Sequence, residues 1–181
     1  MKPALVTSLF ALAVAYQLGV PASVVADRER VLRHGEALKI RTAPVDPYDA
    51  FRGRFVALGF ENRSLPLAGT NDVRHGAWMY VQFTNDAAGF ASPAAVAVEQ
   101  PEAGPYLRLR APPHHGGTVS VRLPFDRYYL DEERAPKAES AFRAASSRTN
   151  RDAYVVLRVL GGRGVLEDLV VAGRSARELG P

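Results

Sequence analysis

Five carboxylates come closest to a catalytic or cation-binding set in this sequence: Asp46, Asp49, Glu132, Glu133 and Glu139. Paired carboxylates can exchange protons with a substrate or hold a hard cation such as calcium. No calcium-loop pattern surrounds Asp46 and Asp49, and short acids in proline-rich loops commonly close turns. We therefore expect these two to serve their loop and the glutamates to cap a helix. As candidate binding residues we keep Asp46, Asp49, Glu132 and Glu139.

Arginine forms the second candidate group. Arg52 and Arg54 flank Gly53, and on a strand their side chains share one face. With the acids named above they can form an ion-pair network that pins the loop. Alternatively, they line a pocket for an anionic group such as a phospholipid head or a peptide carboxylate. Both interpretations remain open, and the other arginines considered with them are Arg41, Arg127 and Arg134.

The residues that several other kinds of site require are absent from this sequence or lack the necessary spacing. The chain contains no cysteine, which excludes disulfides, iron–sulfur clusters, thiolate zinc sites and cysteine nucleophiles. His114 and His115 lie in a proline- and glycine-rich loop without a partner at metal-ligand spacing, so we expect an exposed loop. No serine precedes Gly53 in its loop, which argues against a serine–lysine hydrolase. The sequence therefore predicts no catalytic residue, no metal and no cofactor.

The segment Thr42–Glu61 positions most of these candidates. Pro44 and Pro47 fix φ and push the residues before them into extended conformations. Gly53 permits a backbone shape that a side chain would forbid. Beyond it, residues alternate between two faces with the period of a strand, which predicts a strand from Arg54 to Glu61.

The same segment carries a family resemblance. The run Gly53-Arg54-Phe55-Val56-Ala57-Leu58-Gly59-Phe60 resembles the motif that names the GDYXXLXY family. Gly53 and Leu58 match directly, Phe55 and Phe60 replace tyrosines, and Arg54 replaces the aspartate. The lead-in with Pro44 and Pro47 is also similar, so the structural motif comprises Pro44, Pro47, Gly53, Phe55, Leu58 and Phe60.

A second block, Tyr128-Tyr129-Leu130 with Glu132 and Glu139, resembles a further part of that family. The resemblance implies a membrane-anchored bacterial protein with no established activity, and a domain outside the cytoplasm. It also implies a partner, because members are often encoded beside a multi-pass membrane protein. Any role that depends on the motif's carboxylate is not expected here, since Arg54 occupies its place.

Length and charge fit one domain with a terminal segment. The chain has 181 residues, of which 47% are hydrophobic, and a net charge of +4. Such a chain can bury a core and is not compositionally disordered. Mild basicity suits an anionic membrane surface, and no basic run is interleaved with aromatics, so we expect no nucleic acid partner.

The N-terminal residues 1–26 have two interpretations. Ala4–Ala26 carries no charge and approaches the ~20 residues that cross a bilayer, which predicts a transmembrane anchor. Alternatively, Val24-Val25-Ala26 is a small-residue cleavage site and the segment is a signal peptide. We favour the anchor. Residues 27–35 then form a charged, helical connector that Gly35 ends.

Residues 36–174 predict a β domain, with 175–181 as a tail. Alternating apolar residues predict strands near 36–42, 77–83, 94–99, 105–110 and 118–123, and a glycine-linked hairpin closes the chain between 152 and 171. A single helix is predicted near 135–147, whereas 62–76 is predicted to be irregular. The expected fold is mainly β (α+β): an antiparallel sandwich or a partly closed barrel.

These observations predict a membrane-tethered, non-catalytic β domain that binds a protein partner in the bacterial envelope. The expected location is the inner membrane, with one span and, as the resemblance implies, the domain in the periplasm or otherwise outside the cytoplasm. Two alternatives stay open. One is an envelope hydrolase with acids converging around Asp46, Asp49 and Glu132, and the other is a small-ligand or lipid-binding domain.

Overall fold

A single long helix precedes a β domain in the computed structural model, which describes residues 3–43, 55–68, 73–113, 117–146 and 152–179. The helix α1 (Pro3–His34) continues without a break through Pro21 and through the charged residues from Asp27 onward. It is long and apolar enough to cross a membrane. Its exposed large apolar side chains include Leu5, Leu9, Phe10, Leu12, Leu18, Val24 and Val25.

Over its described residues, the β domain consists of short strands and one further α-helix. The strands are β1 (Glu36–Arg41), β2 (Phe55–Ala57), β3 (Arg63–Ala68), β4 (Trp78–Asn85), β5 (Ala91–Ala97), β6 (Tyr106–Arg110), β7 (Thr118–Val121), β8 (Arg127–Tyr129), β9 (Ala153–Leu160), β10 (Arg163–Val171) and β11 (Arg174–Ser175). The helix α2 (Ala135–Ala145) lies between β8 and β9, and a 3-10 turn (Ala176–Glu178) follows β11.

The strands form two sheets and a ribbon. One sheet has the order β1-β9-β10-β11, the other has the order β6-β4-β5-β3-β7, and β2 pairs with β8. Backbone bridges between Lys39 and Phe90 and between Leu107 and Gly162 join the two sheets. The result is a curled, partly closed barrel, which confirms the predicted fold class. Among the described strands, β3 and β5 form a parallel pair and the other pairs are antiparallel.

Strict alternation along the strands builds the core. On β9, every second side chain from Ala153 to Val159 is buried, and on β4 Met79, Val81 and Phe83 point inward. Phe142 and Ala138 of α2 belong to the same apolar cluster. Burying a large aliphatic or aromatic side chain contributes about 1.5–3 kcal/mol, so this shared interior holds both sheets and α2 together.

The structure corrects three sequence predictions. Residues 63–68 form β3 although 62–76 was predicted to be irregular. β3 pairs with β7 as far as Pro66 and with β5 from Leu67 onward. Proline has no N–H to donate to a strand ladder, and it is tolerated at such a change of partner. The strand predicted from Arg54 to Glu61 is regular only over Phe55–Ala57. The β domain also continues past residue 174, because β11 and the 3-10 turn pack on β10.

The connection between α1 and β1 is tightly packed. Val31, in the last turns of α1, is only 3% exposed, and its carbonyl accepts a hydrogen bond from the N–H of Gly35 at 2.8 Å. A Cβ at Gly35 would overlap that carbonyl and lie 3.1 Å from the backbone N and O of Val159. Arg158 donates to the carbonyl of Gly35 at 3.1 Å. The helix therefore joins the sheet through a junction that accepts only glycine.

We predict that Gly35→Ala lowers the free energy of unfolding of the domain by about 1–3 kcal/mol, because the added Cβ overlaps backbone atoms that cannot rotate away. Chemical denaturation of the detergent-solubilised chain measures this change. Gly19→Ala is the control, since a Cβ at Gly19 meets no atom within 4 Å. Equal stability of the two variants would contradict the tight junction.

Candidate functional site

Most of the predicted binding residues fall outside the described residues: Asp46, Asp49, Arg52 and Arg54, together with Pro44, Pro47 and Gly53 of the motif. Glu132 is exposed in the turn before α2. Glu139 lies on α2 and accepts a hydrogen bond from Arg143, one turn further on, at 2.9 Å. Exposed pairs of this kind contribute about 0.3–0.5 kcal/mol, so Glu139 serves the helix surface.

Among the other arginines considered with Arg52 and Arg54, Arg127 lies over the ring of Phe55 in the motif, with its Cζ 5.0 Å from the centroid, whereas Arg41 and Arg134 have separate surroundings. Arg41 donates to Asp86 at 2.7 Å and stacks on Phe90, with its Cζ 3.9 Å from the ring centroid. Backbone N–H bonds, the one from Phe90 above all, hold the pKa of Asp86 below its ordinary value. Arg134 donates to the carbonyl of Arg177 at 2.9 Å. Arg41 thus stabilises the turn between β4 and β5, and Arg134 binds the backbone of the 3-10 turn near the end of the chain.

The two sequence blocks of the family resemblance meet in space. β2 pairs with β8 so that Phe55 faces Tyr129 and Val56 faces Tyr128. The rings of Phe55 and Tyr129 lie edge to face, 5.9 Å apart. Leu58 is buried and its N–H donates to the carbonyl of Asp126 at 2.8 Å. The motif residues that the structure describes therefore build one ribbon with the second block.

Behind this ribbon lies a polar network that the sequence did not indicate. The hydroxyl of Tyr128 donates to Asp168 at 3.1 Å and accepts from Nε of Arg177 at 2.9 Å. Asp168 also accepts from the hydroxyl of Ser175 at 2.9 Å and from the N–H of Leu169 at 2.8 Å. Arg177 in turn donates to the carbonyl of Glu167 at 2.6 Å. The network fastens the end of the chain to β8 and β10.

A β-bulge in β10 makes this network possible. The register with β9 shifts between Leu166 and Asp168, so that Glu167 is the additional residue. The bulge allows adjacent acids to serve different partners: Glu167 binds Arg158 through two N–H bonds of 2.7 and 3.2 Å, while Asp168 binds Tyr128. Bulges commonly re-aim side chains in this way.

The outer surface of β4 and β6 carries aromatic and arginine side chains. Trp78 is 42% exposed, and the guanidinium carbons of Arg110 and Arg108 lie 3.7 and 4.3 Å from its ring centroid. Tyr80 and Tyr106 form an edge-to-face pair at 5.7 Å beside them. We call this surface the tryptophan–arginine face; it comprises Trp78, Tyr80, Tyr106, Arg108 and Arg110.

Cross-strand contacts fix the side chains of this face, and its two arginines have no ion-pair partner among the described residues. Cross-strand pairing sets Trp78 opposite Arg110 and Tyr80 opposite Arg108. Arg110 is further fixed by donating to the carbonyl of Gly76 at 2.8 Å. In the part of the chain that the structure describes, neither Arg108 nor Arg110 has a carboxylate within ion-pair distance. The face can therefore accept an acidic group beside an apolar one.

Comparison with known protein families decides the identity of the chain. Residues 17–169 match the family described as GDYXXLXY protein. The chain belongs to this family. No curated protein and no solved structure matches it. The matched region of this GDYXXLXY protein begins inside α1 and ends in β10, so it includes the junction, both motif blocks and the tryptophan–arginine face.

The sites that sequence reasoning missed in this GDYXXLXY protein depend on distant pairings. Tyr128 lies 40 positions before Asp168, and no local pattern indicates their contact. Trp78 was recognised only as a strand residue, although strand alternation places it opposite to the buried Met79 and thus outside. Among the described residues, no group of three or more histidine, aspartate or glutamate side chains is arranged to hold a metal ion.

We predict that Tyr128→Phe lowers the free energy of unfolding by about 1–2 kcal/mol at neutral pH, because Arg177 and Asp168 both lose a hydrogen bond. Burial raises the pKa of Tyr128. The folded state therefore keeps the phenol proton at a pH where the unfolded chain releases it, near pH 10 and above. The stability difference between wild type and variant should shrink as pH rises through that range.

Denaturation followed by the fluorescence of Trp78, the single tryptophan, measures both effects. Tyr129→Phe is the matched control, because the Tyr129 side chain is 67% exposed. We expect the control to change stability by less than about 0.5 kcal/mol. Similar losses in the two variants, or a difference independent of pH, would contradict the structural role of the Tyr128 hydroxyl.

Proposed function

We propose that this GDYXXLXY protein is a membrane-tethered, non-catalytic β domain that binds another membrane protein through the tryptophan–arginine face. The observation that carries the proposal is the exposed Trp78 with two guanidinium groups stacked against it. Tryptophan, tyrosine and arginine are the residues most enriched among those that dominate protein interfaces. Core packing does not require them here, because the opposite side chains of β4 and β6 fill the interior.

The surroundings of the face favour a protein segment as the ligand. On the neighbouring strand β5, Ala97 and Ala95 lie opposite Tyr80 and Gln82, so small side chains border the aromatic pair. This arrangement leaves an apolar floor beside the guanidinium groups. A partner segment with an aspartate or glutamate next to apolar side chains would satisfy both features.

α1 supports a permanent tether within the same proposal. The helix passes Val24, Val25 and Ala26 without interruption, whereas proteases cut most readily at exposed, irregular segments. Val31 and Gly35 then connect it directly to the β domain. We propose that the protein lies in the inner membrane with one span and the domain in the periplasm, next to a neighbouring multi-pass membrane protein of the kind that the family resemblance implies as a partner.

Co-purification tests the proposal. The full chain is expressed with that neighbouring membrane protein, solubilised in detergent and isolated by an affinity tag on the chain. We predict that the partner is recovered, and that Arg108→Glu/Arg110→Glu reduces its recovery about tenfold or more, equivalent to about 1.4 kcal/mol. Trp78→Ala should cause a similar loss, since central tryptophans contribute more than about 1 kcal/mol.

The control is Arg122→Glu/Arg174→Glu, which makes the same charge change at two exposed arginines of other surfaces. Its recovery of the partner should equal that of the wild-type chain. Absence of the partner from the wild-type eluate would overturn the proposed function. Equal recovery with the control and the face variants would overturn the assignment of the face.

A further inference from the structure

A cleft separates the end of α1 from the β domain. Its volume is about 630 Å³, and α1 contributes Val24, Asp27, Arg28 and Val31 to one wall. The opposite wall consists of the first residues of β10 together with the segment 124–129 and Arg177. We call this cavity the helix cleft. The proposed protein-binding face does not involve it.

The position of the helix cleft along α1 places it at the level of lipid headgroups. The charge-free part of α1 ends at Ala26 and is about 35 Å long at 1.5 Å per residue, which slightly exceeds the ~30 Å hydrocarbon core. Val24 therefore lies at the hydrocarbon boundary. Asp27 and Arg28 follow within about 6 Å of further rise, inside a headgroup layer about 5–8 Å thick, and Val31 lies about 10.5 Å beyond Val24, at the outer edge of that layer.

The lining of the helix cleft is amphipathic and positively charged. Its charged side chains are four arginines and two aspartates: Arg28, Arg127, Arg163, Arg177, Asp27 and Asp126. Asp27 binds Arg163, and Asp126 lies 3.6 Å from Arg127. Phe125, Val165 and Leu166 supply apolar surface beside them. An anion with an attached hydrocarbon chain matches this combination.

Two of the arginines have donors available for such an anion, and one of them, Arg177, is already fixed in place. Arg177 is held by the Tyr128 hydroxyl and the Glu167 carbonyl, which use Nε and Nη2 and leave Nη1 available. Arg28 has no carboxylate partner among the residues that the structure describes. A guanidinium already fixed in place loses little conformational entropy when it binds, and its planar donor pattern suits phosphate oxygens.

We propose that the helix cleft binds the phosphate group of an anionic phospholipid, with Arg28 and Arg177 as donors and the acyl chain along Val24. Basic pockets between transmembrane helices bind anionic headgroups on the matrix or cytoplasmic side of other membrane proteins, and the helix cleft offers the same donor chemistry on the opposite side. The bound lipid fills the space between α1 and β10. It thereby fixes the orientation of the β domain on the membrane surface.

Native mass spectrometry of the full chain, released from nanodiscs of equal phosphatidylglycerol and phosphatidylcholine content, tests this proposal. We predict that retained phosphatidylglycerol exceeds phosphatidylcholine about tenfold, a difference of about 1.4 kcal/mol. Arg28→Gln and the double variant Arg28→Gln/Arg177→Gln should remove most of this preference. Arg28→Gln alone leaves the Tyr128 network intact, so its effect does not depend on domain stability.

Arg30→Gln/Arg174→Gln is the matched control, because it removes two positive charges that do not line the helix cleft. This control should retain the lipid preference of the wild-type chain. A parallel sample receives millimolar inorganic phosphate, which should not displace the lipid. Displacement by phosphate would reassign the site to a soluble anion, and equal retention of both lipids, or loss of preference in the control, would overturn the proposal.

Discussion

The close contact between the last turn of α1 and β9 is the constraint on which the rest of the structure depends. Gly35 brings the helix end against the backbone of Val159, and the burial of Val31 contributes about 1.5–3 kcal/mol to that contact. A longer or more flexible linker would allow the β domain to take many orientations relative to α1. Here the contacts of Val31 and Gly35 fix the angle between α1 and the strands β1 and β9, so the domain has a defined orientation relative to α1.

The bulge in β10 directs two adjacent acids, Glu167 and Asp168, to different partners. Glu167 pairs with Arg158, whose guanidinium also reaches the carbonyl of Gly35, so this pair supports the helix junction. Asp168 pairs with Tyr128 and Ser175, which ties the motif ribbon to the chain end. The same strand therefore stabilises the junction with α1 on one side and the family motif on the other. Neither arrangement uses the outward-facing side chains of β4 and β6.

The sequence predicted the elements whose signals are local, and it missed those that depend on distant partners. The β9–β10 hairpin followed from two apolar runs around Gly161 and Gly162, which both have the positive φ that such a turn requires. β3 was missed because a proline such as Pro66 argues against a strand unless the partner strands of β3 are known. The Tyr128–Asp168–Arg177 network was missed because its members lie on separate elements. Of the predicted binding residues, the structure describes Glu132 and Glu139, and it does not bring them to the tryptophan–arginine face or the helix cleft.

The orientation of the β domain relative to α1 can be measured directly, because the chain has no cysteine and accepts two labels without background. Spin labels at Arg30→Cys on α1 and Arg122→Cys on the β domain, in lipid nanodiscs, report the distance between the two bodies by pulsed electron paramagnetic resonance. A fixed junction at Gly35 predicts one narrow distance distribution at the separation given by the structure. A broad distribution that spans many separations would show a freely moving domain and would contradict the account.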